Sequence, residues 1–192
     1  GKGSLYRHLK KHMEGDKVAI TKDIHDIRKA MDRYDYETVI GSIPPIAGDS
    51  LFTPMRAQAL RAMGRMSETL AEWNSLLPKD STHTKVVVEL ADCYRQIGNV
   101  TKAMNCYKKA VELEPLNKYF RLQYIRTLLN AEEYEMAKTA CHEWLEMDTL
   151  SSTGYKYLGQ AYEGLVEKDS NALSLAFLSY NAAYRRDSLD AQ

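Results

Sequence analysis

The chain has 192 residues, 44% of them hydrophobic, with 26 Lys plus Arg balanced by 26 Asp plus Glu. A chain of this length can bury about 70% of its unfolded surface in one elongated domain, so no second domain is required. The charge balance supplies no global field for nucleic acid or an anionic membrane, no run approaches the ~18 apolar residues of a membrane span, and no signal-peptide pattern opens the chain.

The N-terminus reads Gly1-Lys2-Gly3-Ser4, which has the form of the end of a phosphate loop but lacks its leading glycine and a preceding strand. It reads as a terminal tail. The missing initial methionine leaves a removed leader open, so a cytoplasmic and a periplasmic or secreted location both stand. A short helix is expected from Leu5 to Met13, within a partly flexible segment 1–19. His8 and His12 share one face of that helix, but no third ligand follows at a supporting spacing, so a solvated basic terminus is the simpler reading. Residues 20–49 read as a degenerate helical hairpin. Ile20, Ile24, Ile27, Met31 and Tyr34 mark an amphipathic first helix, 36–43 is a short second one, and Pro44-Pro45 ends it.

From Thr84 a motif begins that returns later in the chain. It runs Val87-x2-Leu90-Ala91-x2-Tyr94, then Ala103-x3-Tyr107-x2-Ala110, then Pro115. The same order recurs as Tyr155-x2-Leu158-Gly159-x2-Tyr162 and Ala176-x3-Tyr180-x2-Ala183. At ~100° per residue each group forms one stripe of a helix. The two stripes pack together, with Ala91 and Ala103 small because two backbones approach there. A bulky residue at Ala103 is expected to overpack the hairpin at about 1–3 kcal/mol. Gly98 suits a left-handed helix end, Ser67 and Ser152 suit helix starts, and Pro115 prevents continuation.

In these residues the chain resembles the tetratricopeptide repeat family, whose unit of about 34 residues is a helix, a turn and an antiparallel helix. The resemblance implies an all-α, right-handed α-α superhelix of about four stacked repeats at 50–83, 84–117, 118–151 and 152–189. In 50–83, Ala57, Leu60, Gly64 and Trp73 fit the pattern, and Thr69 departs from it at the slot of Ala103. In 118–151, Tyr124, Leu128, Tyr134, Ala137 and Trp144 fit, Ile125 replaces the small residue, and no proline ends the unit. A wider or shifted crossing is expected there. The last unit needs roughly five extra residues near 164–170, and a turn tolerates them.

Chemistry-bearing residues form no catalytic constellation. Cys93, Cys106 and Cys141 fall on repeat helices and read as small core residues, with a Cys93–Cys106 disulfide as the minor alternative. Cys141 and His142 are helix neighbours that point ~100° apart, which rejects a nucleophile–base pair. Asn99-Val100-Thr101 reads equally as a glycosylation acceptor and as a polar turn at a helix start. The 13 tyrosines fall mostly at packing positions. No cofactor and no metal is expected.

In a stack of this kind the first helices line a concave groove. Side-chain angles assign to it Pro54, Gln58 and Arg61, then Lys85, Val88, Asp92 and Arg95, then Tyr119, Leu122, Arg126 and Leu129, then Lys156, Gln160 and Glu163. Its cations outnumber its acids, so the groove is expected to be basic with an apolar centre at Val88, Tyr119 and Leu122. The expected function is a non-catalytic adaptor or scaffold that binds a protein or peptide segment, with an acidic one suited to the cations. Nucleic acid is disfavoured as a partner. Some family members clamp a chaperone's C-terminal carboxylates with lysines, arginine and asparagines. Here Pro54 and Gln58 stand where the first lysine and asparagine would be, and Glu89 and Gln123 replace later members, so that partner does not fit.

The alternative function is a sensory or regulatory region of a larger cell-envelope lipoprotein or transcriptional regulator, receiving a peptide or small ligand. An enzyme accessory subunit, or an enzyme whose residues converge only in three dimensions, is a third. The final helix, about 171–186, carries Leu173, Ala176, Phe177, Tyr180, Ala183 and Tyr184 with nothing after it to cover its outer side. It is self-sufficient, continued by further sequence, or covered by a second chain. A monomer with weak self-association is expected, because Ser174, Ser179, Asn181, Arg185 and Arg186 supply polar cover.

Overall fold

The computed structural model describes residues 24–45, 49–77 and 83–190, so the expected helix at Leu5 to Met13, its histidines, the terminal tail and Ile20 lie outside the described residues. Among the described residues the chain forms ten α-helices and no strand. They are α1 (Ile24–Asp32), α2 (Tyr36–Ser42), α3 (Phe52–Ala62), α4 (Met66–Leu76), α5 (Thr84–Gln96), α6 (Val100–Leu113), α7 (Lys118–Asn130), α8 (Tyr134–Met147), α9 (Ser152–Gly164) and α10 (Ala172–Asp190). Packing divides the chain into two compact units, one ending at Ile97 and the other beginning at Gly98.

In the first unit each helix packs on the next in sequence, from α1 through α5. One core cluster joins Ile27 and Ala30 of α1 to Val39 of α2, Ile43, and Phe52 and Ala59 of α3. The short α2 is made possible by its cap. Asp35 accepts from the Thr38 N–H at 3.3 Å and from the Thr38 hydroxyl at 2.6 Å, which satisfies a helix start that few internal bonds support. Asp49 does the same for α3, accepting from the N–H groups of Leu51 at 2.9 Å and Phe52 at 2.7 Å. Thr69, the departure from the small-residue pattern, is fully buried, and its hydroxyl donates to the Arg65 carbonyl at 2.8 Å. A satisfied hydroxyl thus takes the room of a methyl without an orphaned polar atom.

In the second unit α6 packs on α7, α7 on α8, α8 on α9 and α9 on α10, and α7 also meets α9. The core runs from Ile125 and Leu128 through Ala137, Cys141 and Trp144 to Leu158 and Ala176. Asn117 caps α7 and Ser151 caps α9, accepting from Phe120 N–H at 3.2 Å and Gly154 N–H at 3.0 Å. Ser152 is therefore the first helical residue, not the cap, and Ser67 lies inside α4, whose start at Arg65 has no side-chain cap. Glycine is required at Gly159, because a Cβ there would stand 2.7 Å from Cε1 of Tyr180. The added segment between α9 and α10 is wound into successive turns at 165–171 and pinned by Leu165, which is buried.

Four of the turns after helices share one backbone solution. Tyr34, Gly64, Gly98 and Glu132 take φ of 60°, 74°, 79° and 58°, the left-handed conformation that ends a helix. The next residue's N–H then reaches back past the helix end: Asp35 to the Ala30 carbonyl, Arg65 to Leu60 and Glu133 to Leu128, each at 2.9 Å. In these three hairpins that closure lets a short turn reverse the chain and lay the second helix against the first.

Candidate functional site

Each side chain assigned to the groove belongs to one of the two units. In the first unit, Gln58 and Arg61 come from α3, and Lys85, Val88, Asp92 and Arg95 from α5. Gln58, Lys85 and Arg95 are exposed, while Arg61, Val88 and Asp92 are half-buried. Two of its three cations are paired with acids on the same surface, and among the described residues Lys85 has no such partner. Arg61 Nη1 lies 3.0 Å from Glu89 Oε2, and its Nε donates to Gln96 Oε1 at 3.1 Å. Arg95 Nη2 lies 3.7 Å from Asp92 Oδ1. Glu89 and Gln96, outside the assigned groove set, hold Arg61 across from α3 to α5.

The second unit presents a different face. Tyr119, Leu122 and Arg126 lie on α7, and Lys156 and Gln160 on its neighbour α9. Tyr119 is 52% exposed, its ring edge-on to Phe120 at 6.0 Å. Arg126 and Lys156 are exposed and Gln160 is half-buried. Other cations of α7 are neutralised, Lys118 by Asp148 at 3.3 Å and Arg121 by Glu143 at 3.5 Å. Among the described residues no such partner stands beside Arg126 or Lys156. Leu122 is half-buried and packs against the core, so it offers less open surface than Tyr119. Tyr119 is thus the apolar anchor that this face offers.

The reactive side chains are engaged elsewhere. All three cysteines are free. Burial raises the thiol pKa of Cys93 and Cys106 and pushes that of Cys141 up to about 12, which keeps them protonated and poorly nucleophilic. Cys141 faces the core, whereas His142 is exposed with Nε2 3.2 Å from the Tyr162 hydroxyl, so the two do not form a dyad. Asn99 is the cap of α6, accepting from Lys102 N–H at 3.2 Å. Among the described residues, no three His, Cys, Asp or Glu side chains gather as a metal ion would need, and no helix is long and apolar enough to cross a membrane.

One polar cluster went unread in the sequence. Arg56 is buried, and its guanidinium donates from Nε to Glu72 Oε1 at 3.0 Å and from Nη1 to the carbonyls of Ile40 at 3.1 Å and Ile43 at 2.7 Å. It therefore ties the end of α2 to α3 and α4. Burial raises the Glu72 carboxyl pKa, against the opposing pull of the Arg56 hydrogen bond and charge. With Nε and Nη1 of Arg56 spent on the fold, the cluster is structural.

The comparisons with known proteins bear on this arrangement. The tetratricopeptide repeat family model matches residues 84–115. A crystal structure of MamA aligns at 16% identity and a TM-score of 0.66, covering 90% of this chain and 99% of that one. A second MamA crystal structure aligns at 15% identity and a TM-score of 0.67, covering 97% and 95%. MamA from Desulfovibrio magneticus RS-1, from residue 41 to its end, aligns at 16% identity and a TM-score of 0.58, covering 71% and 74%. At these identities the likeness is one of fold. No curated protein matches in sequence. The chain therefore carries a tetratricopeptide repeat at residues 84–115 within an all-helical fold of the kind seen in MamA.

Proposed function

We infer that this protein is a non-catalytic interaction scaffold that holds an acidic segment of a partner protein on the α7 and α9 face of its second unit. The observation that supports this is the juxtaposition of exposed Tyr119, Arg126 and Lys156 on neighbouring helices, where nearby cations are already paired with acids. Tyrosine and arginine are the side chains that interfaces favour, and an unpaired cation gains most from an incoming carboxylate. The paired Arg61 and Arg95 of the first unit have less to offer a carboxylate, since a partner would first have to displace Glu89 and Asp92.

The test is a peptide array of acidic, neutral and basic sequences, with the strongest binder then titrated in solution. An acidic peptide is expected to bind, and the Arg126→Glu/Lys156→Glu double variant to lose at least about tenfold in affinity because like charges then meet. Arg95→Glu serves as the control and should change affinity far less. Equal binding by the double variant and the wild type contradicts the assignment.

A further inference from the structure

The last helix carries a second surface, remote in chemistry from the cationic one. Among the described residues α10 packs chiefly on α9, and at 19 residues against 13 it is longer than its support. Its outer side carries large apolar side chains flanking the exposed Ser174, Arg185 and Ser188. Leu173, Phe177, Leu178, Tyr184 and Leu189 are each between 59 and 72% exposed. Ser179, which the sequence offered as polar cover, is buried and donates to the Leu175 carbonyl at 2.7 Å, so it covers nothing. Two adjoining depressions run along this side and share Leu178. One, of about 600 Å³, has Glu163 on its wall beside Leu173, Ser174 and Phe177. The other, of about 410 Å³, is bordered by Arg185, Arg186 and Leu189. The face thus has the Glu163 carboxylate, which also accepts from the Tyr180 hydroxyl at 2.5 Å, at one end, guanidinium groups at the other, and between them Phe177 and Leu178 beside Ser174 and Asn181.

We propose that α10 is the interface of a homodimer, in which two copies pair antiparallel about Leu178 so that Arg185 of each enters the depression walled by the partner's Glu163. An isologous contact of this kind requires a self-complementary patch, and a strip with opposite charges at its two ends becomes complementary to itself on a twofold rotation. The size also fits. Aromatic side chains of about 150–250 Å² each, with the leucines beside them, give roughly 600 Å² of apolar surface per copy. A standard stable interface takes about 800 Å² from each side, and the polar flanks of α10 supply the remainder. Placing Phe177 and Leu178 at the centre and the charges at the rim matches how such interfaces are built.

The experiment is sedimentation of the full chain across a micromolar dilution series, with circular dichroism to confirm that each variant stays helical. Wild type is expected to dissociate from dimer to monomer on dilution, and Phe177→Glu, at an exposed site, to be monomeric throughout. Arg185→Glu and Glu163→Arg should each weaken the dimer at least about tenfold, and the double exchange should restore it, which only a second copy of this chain can do. Loss in both single variants without rescue in the double overturns the Arg185–Glu163 pairing. A wild-type chain that is monomeric at every concentration overturns the dimer and leaves this face to another segment or protein.

Discussion

Arg56 stands where the repeat elsewhere has an apolar or aromatic residue: one stride of about 34 residues later comes Leu90, then Tyr124, then Leu158. Its substitution by methionine would keep the bulk but strand the Glu72 carboxylate and the Ile40 and Ile43 carbonyls in the core. Breaking such a buried group is expected to cost about 3–5 kcal/mol, read as a lower urea midpoint. Glu72 adds a pH signature. Its pKa is higher in the folded than in the unfolded chain, so its contribution is complete below the unfolded value near 4.5 and is lost as pH rises through the raised folded value. Glu72→Gln removes that loss, so the stability of the variant relative to wild type should increase with pH across that window; a constant difference from acid to neutral pH contradicts the assignment. Glu132 offers a gain. It holds φ 58° where Gly98 holds 79° in the preceding turn, and a non-glycine residue there costs about 1–2 kcal/mol. Glu132→Gly should raise the melting temperature and Gly98→Ala lower it. The sequence revealed Gly64 and Gly98 as helix ends because glycine announces the conformation. It concealed Tyr34 and Glu132, whose backbone is held by the same hydrogen bonds without the residue that normally signals them.

At the scale of elements, the recurring pattern of small and aromatic residues was sufficient to locate the helices. Leu158, Gly159 and Tyr162 of α9 and Ala176 and Ala183 of α10 are buried where the motif put them. The close approach at Gly159 gives this packing a direct test. Gly159→Ala forces a methyl against the Tyr180 ring and should destabilise the chain by about 1–3 kcal/mol, and Tyr180→Leu in that background should recover part of it. If Gly159→Ala melts like wild type, the α9 and α10 crossing is looser than described. Two features lay beyond the pattern. The helix caps shifted by a residue, because Ser151 and Ser152 have the same capping chemistry and only the backbone decides between them. The length of α10 was underestimated, since its last turn to Asp190 has no packing residue to mark it.

For the molecule as a whole, the helical class and the matched repeat were legible because both rest on local periodicity. The charge of the candidate face was not, since it depends on which acids reach which cations across helices. Arg61 and Arg95 look free in one dimension and are neutralised in three, whereas Arg126 and Lys156 keep their charge available for a partner. Raised salt should therefore weaken capture of an acidic peptide by the second unit, as expected of exposed charges within a Debye length of about 10 Å at 0.1 M. The most direct measurement is a titration of the isotopically labelled chain with the bound acidic peptide, followed through backbone amide shifts. The changes are expected to concentrate on α7 and α9 around Tyr119, Arg126 and Lys156. Changes confined to α3 and α5, or to the outer side of α10, would contradict it.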